Sequence, residues 1–72
     1  VAGEETTMTP GEVEARVERI RAMAGDDEAA HGAEDSLRRD VLLAIAGGAR
    51  NARALARTAL ETEEIEFARW CA

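Results

Sequence analysis

Large apolar side chains are scarce in this chain, and from Val13 onward most of them fall at helical spacing. Val13, Val17, Ile20 and Ala24 stand at i, i+4, i+7 and i+11, which is one helical face. Ala30, Ala33, Leu37, Val41, Ala44 and Ile45 make a second stripe, and Leu42 and Leu43 widen it into a face suited to a central helix. Ala52, Leu55, Ala56 and Ala59 line a third, shorter one. No segment shows the alternation of a half-buried strand. The expected fold is all-α, a compact three- or four-helix bundle.

The punctuation between the stripes agrees. Thr9-Pro10-Gly11-Glu12 carries the T-x-x-E capping box, with proline at the first helical position, where a missing N–H does no harm. Met8 and Val13 are spaced to staple across that helix start. Gly25 is expected to end the first helix. The second opens near Asp26 or Asp27, with Asp27 and Glu28 at the positive end of its dipole. It stops at Gly47-Gly48. Gly32 either precedes this helix or marks a close approach by another. Asn51 is read as the cap of the third helix. Thr62 is read as the cap of a fourth, with Ile65, Phe67, Ala68, Trp70 and Cys71 as its apolar surface. Residues 1–8 are expected to be a disordered tail, Met8 being a candidate start, and residues 9–72 a single helical domain. Glu12–Arg16, Glu34–Arg38 and Asp35–Arg39 have the spacing of exposed i, i+4 pairs.

Composition bounds what such a bundle can do. Seventy-two residues allow one domain, and 46% apolar residues suit a globular chain. Much of that share is alanine, so the core is small, and a core of this size rarely contributes more than about 3–5 kcal/mol. A partner subunit could complete it. Cys71 is the sole cysteine, which excludes a disulfide within the chain and suits a reducing compartment. The apolar run Val41 to Ala46 is far shorter than the roughly 20 residues that span a bilayer. A cytoplasmic protein with no membrane role is expected.

The net charge of -6 is unevenly spread. Residues 1–36 hold ten acids and three arginines, residues 37–60 hold five arginines and Asp40, and residues 61–72 hold four glutamates and one arginine. Arg50, Arg53 and Arg57 share a face at i, i+3 and i+7, a pattern that can meet phosphates. The helix order of residues 37–72 also resembles a degenerate helix-turn-helix nucleic-acid binder. Against that reading stand Glu61, Glu63, Glu64 and Glu66 around the would-be recognition helix, and the lack of glycine in the turn.

Other candidate chemistry is thin. Glu28-Ala-Ala-His31 has the E-x-x-H spacing of carboxylate-bundle metal sites, flanked by Asp27 and Asp35. No second set of ligands is evident, so no metal site is assigned. Cys71 sits where a helix C-terminal end disfavours thiolate, with no base spaced to activate it. Ser36 is the only serine, and no phosphate loop or catalytic carboxylate pair is recognisable. No catalytic residue and no cofactor is assigned. Phe67 and Trp70 are the only aromatics. Together with Leu60 they are the candidate partner-binding residues, for a protein partner or a second copy, because exposed aromatics on a small domain mark interfaces.

The stretch Asp40-Val41-Leu42-Leu43-Ala44-Ile45-Ala46-Gly47-Gly48-Ala49 and the ending Ile65-Glu66-Phe67-Ala68-Arg69-Trp70-Cys71-Ala72 resemble small proteins of Streptomyces-type actinobacteria and their phages. The similarity covers roughly the last two thirds of the chain, and F-A-R-W-C-A is its distinctive part. The absence of lysine and the wealth of alanine fit a high-GC source. That family has no established activity, so the resemblance implies a source and a size class and supplies no site residues. The function expected from the residues is a small non-catalytic interaction or regulatory module, the alternatives being nucleic-acid binding through Arg50, Arg53 and Arg57 and an acidic protein that competes with DNA for a basic partner.

Overall fold

The computed structural model describes residues 8–69. Among them are three α-helices, α1 (Pro10–Ala22), α2 (Asp27–Ala46) and α3 (Ala52–Ala59), then a 3-10 turn (Leu60–Glu64), and no strand. Each helix touches the other two.

Helix α1 starts as its capping box requires. The Glu12 N–H donates to Thr9 Oγ1 at 3.1 Å, and the Thr9 N–H donates to Glu12 Oε1 at 3.0 Å. Val13, Val17 and Ile20 point inward and are fully buried. Met8 packs against that core, and its carbonyl accepts from Asn51 Nδ2 at 3.3 Å. This ties the entry of α1 to the entry of α3. Glu12 is engaged in the cap, and Arg16 pairs across helices with Asp40 at 2.8 Å instead of with Glu12. The helix ends at Met23, before Gly25, and Gly25 does not take the left-handed conformation.

Asp26 caps α2, its carboxylate accepting from the Ala29 N–H at 3.1 Å. The far end closes with a Schellman motif. Gly48 has φ of 98°, its N–H donates to the Ile45 carbonyl at 3.0 Å, and the Ala49 N–H donates to Ala44 at 3.0 Å. Gly32 lies within the helix with open space around it, so neither expectation for it holds.

The core is Val13, Val17, Ile20, Ala30, Leu37, Val41, Ala44, Leu55, Ala59 and Ile65. Leu42 and Leu43 do not join it. They are 65% and 55% exposed, because α2 turns only the Leu37–Val41–Ala44 stripe toward its neighbours.

The expected fourth helix does not form. Thr62 sits buried inside the 3-10 turn, where its hydroxyl donates to the Ala59 carbonyl at 3.1 Å. Such back-bonding competes with regular helix. At Ile65 the backbone becomes extended (φ -87°, ψ 128°). From there Ile65 is buried, Glu66 exposed, and Phe67, Ala68 and Arg69 half-buried, a strap laid along the helices.

Candidate functional site

A shallow groove of about 220 Å³ runs between α2 and α3. Val41, Leu42 and Ile45 form one wall, and Ala56, Ala59 and Leu60 the other. The α3 side presents the short side chains of Ala56 and Ala59 opposite Val41, Leu42 and Ile45. Leu60 is 54% exposed at its edge, so the groove is open to water and apolar.

Arg38 closes one end. Its Nη2 lies 3.4 Å from Glu34 Oε2 and 3.7 Å from Glu63 Oε2, and donates to Thr62 Oγ1 at 3.2 Å. Its buried Nε has no acceptor among the described residues.

Beside this end lies the strap, residues 65–69, held by one buried carboxylate. Glu34 is only 1% exposed, on the core side of α2. Arg69 meets it with two bonds, Nε to Oε1 at 2.9 Å and Nη2 to Oε2 at 3.0 Å. The same guanidinium donates to the carbonyls of Thr62 at 2.8 Å and Ile65 at 3.2 Å, and lies 3.9 Å over the Phe67 ring. The Ala68 N–H donates to Asp27 Oδ1 at 3.1 Å, so the strap runs toward the N-terminal end of α2. Burial pushes the Glu34 pKa up, but its bonds to Arg69 and the charges of Arg38 and Arg69 outweigh this and hold it below the ordinary carboxylate value. Arg69 is shifted upward by its bonds to Glu34 and stays charged.

The candidate residues are thus divided. Leu60 lines the groove. Phe67 is not among the residues that line it and is partly buried against the core under Arg69. Trp70 and Cys71 lie outside the described residues. Arg53 and Arg57 are exposed on α3, whereas Arg50 is exposed in the turn before it. His31 approaches Asp35 at 3.6 Å. No group of three possible metal ligands occurs among the described residues. Asp35 is therefore placed beside His31 and not beside Arg39 as its spacing suggested. Leu42, assigned from sequence to the widened apolar face of α2, is exposed on the groove wall. The phase of α2 was the available signal, since Leu42 stands about 100° from Val41. Glu34 was likewise read as a surface acid.

A small three-helix protein with an open apolar groove and a latched C-terminal strap is what these residues define. No family model, curated protein or solved structure matches the chain. No helix among the described residues is long and apolar enough to cross a membrane.

Proposed function

We propose that the protein is a small non-catalytic interaction module that docks another protein on the groove between α2 and α3. The observation that supports this is the pair Leu42 and Leu60, more than half exposed on facing walls of one hollow. Isolated exposed leucines are ordinary, but two that converge on an apolar hollow fit the central anchor pocket of an interface. Leu60 keeps its role as a docking residue in this reading, and Phe67 is assigned to holding the strap. A cytoplasmic setting fits the reading, as does an actinobacterial or phage source.

The test is a photo-crosslinking amino acid placed at Leu60, at Leu42, and at Glu18 on the outer face of α1, in cells that make the protein. Discrete adducts from the two groove positions, with none from Glu18, are the expected result. Equal labelling from all three, or none from the groove, contradicts the assignment.

The second reading is nucleic-acid binding by Arg50, Arg53 and Arg57. Its support is that all three are exposed and lie more than 4.0 Å from any carboxylate among the described residues. A salt-sensitive affinity for duplex DNA, lost on replacing these arginines, is its signature.

A further inference from the structure

We propose that the groove takes a short amphipathic helix of a protein partner, whose apolar ridge is flanked by aspartate or glutamate. This rests on the docking reading above and adds the chemistry of the occupant.

The walls are two helices with an apolar floor, the shape that receives a ridge of side chains at i, i+3 or i+4, and i+7. The rim carries the charge argument. Helical spacing puts Arg53 on the stripe of Ala56 and Leu60, at i, i+3 and i+7, and puts Arg57 three residues before Leu60. On the opposite wall Arg39 stands three residues before Leu42. All three are exposed, and none has a carboxylate within 4.0 Å among the described residues. Arg38 adds less, since Glu34 and Glu63 share it. Glu34 and Glu63 stand at the Arg38 end of the groove, whereas Glu61 faces Glu14 and Glu64, on the α1 side of the 3-10 turn. Arg38 is the arginine that lines the groove itself, and helical spacing stands Arg39, Arg53 and Arg57 beside its lining residues Leu42, Ala56 and Leu60, in a chain of net charge -6. Such an arrangement repels acidic partners over most of the surface and accepts them at the groove, which orients the encounter. A duplex would use the arginines and leave the apolar floor without a role.

The experiment is selection from a displayed library of helical peptides of about 15 residues, near the length at which helix becomes marginally stable. The full chain is the target, and binders are retained only if they fail to bind a Leu42→Ser/Leu60→Ser variant of unchanged helicity. The expected binders carry leucine or phenylalanine at the ridge spacing with flanking acids. Reversal by Arg53→Glu with Arg57→Glu should weaken them about tenfold or more, a difference of about 1.4 kcal/mol, and added salt should weaken them further. Groove-dependent binders without an acidic bias, or indifferent to that reversal, overturn the inference and leave the docking reading standing. No groove-dependent binder overturns both. Duplex DNA binding that the arginine reversal removes and the leucine variant keeps assigns the rim to nucleic acid and overturns the inference. A dimer that the leucine variant dissociates makes a second copy the occupant, which also overturns it.

Discussion

Arg69 grips the buried carboxylate of Glu34 through two bonds, at 2.9 and 3.0 Å, across 35 residues of chain. The pair joins the C-terminal strap to the middle of α2. Removing the partner of a buried charge costs about 3–5 kcal/mol when both groups are buried, and here Arg69 is itself 34% exposed, so solvent lowers the cost. Arg38 remains near Glu34 at 3.4 Å and offsets part of this. Arg69→Ala is expected to lose about 2–3 kcal/mol, a large fraction of what a domain this small commands. Urea denaturation measures it. A loss below about 0.5 kcal/mol, the range of ordinary surface substitutions, would show that the strap is not held by this pair.

The same carboxylate sets an acid limit. Its folded pKa is depressed below the ordinary 4.5, so its stabilising effect is complete above that value and is lost as pH falls through the folded pKa. Stability should therefore fall below about pH 4.5 in the native chain, and this loss should be smaller in Glu34→Gln, which starts less stable. Melting curves from pH 7 down to pH 2.5 decide it. Parallel profiles for the two chains contradict the assignment.

Glu61 carries the opposite sign. Lost hydration, then the nearby charges of Glu14 and Glu64, raise its pKa. A raised carboxylate disfavours the fold when ionised, and protonation relieves it as pH falls through the folded pKa. Glu61→Gln is expected to raise the melting temperature slightly at pH 7, with the gain vanishing in acid. A lower melting temperature at pH 7 would mean that Arg21, which pulls this pKa down, dominates its surroundings.

Two glycines should respond in opposite directions to alanine. Gly32 lies inside α2 with nothing within 4 Å of an added Cβ, so Gly32→Ala should stabilise by about 0.5–1 kcal/mol. Gly48 also has room, but its φ of 98° strains any other residue, so Gly48→Ala should cost about 1 kcal/mol or more. Like signs for the two would contradict the Schellman ending of α2.

The elements that sequence revealed were those set by local chemistry. The Thr9–Glu12 box, the Val13–Val17–Ile20 stripe and the Gly47-Gly48 stop depend on residues within one or two turns of each other. The fourth helix failed because its fate rests on distant contacts. Thr62 is occupied by Ala59 and Arg38, and Arg69 must reach a carboxylate on α2, which no local pattern discloses. Glu34 looked like a surface acid because its i+4 arginine was visible and its partner 35 residues away was not. Leu60 was named from the sequence only in company with Phe67 and Trp70, and its place on the groove wall comes from the structure. Leu42 stood out only by its offset of about 100° from Val41, and which flank of that wide apolar face stays exposed is decided by packing against α1 and α3 together.

The most direct check on the central claim, that Leu42 and Leu60 form an open docking surface rather than part of the core, is the unfolding free energy of Leu42→Ser/Leu60→Ser against Leu55→Ala. With more than half of each groove leucine already in water, the paired substitution is expected to cost less than about 2 kcal/mol in total, whereas loss of the fully buried Leu55 side chain should cost about 2–5 kcal/mol. A loss of about 2 kcal/mol or more for each groove leucine, with a collapse of helicity, would place both in the core and remove the docking surface.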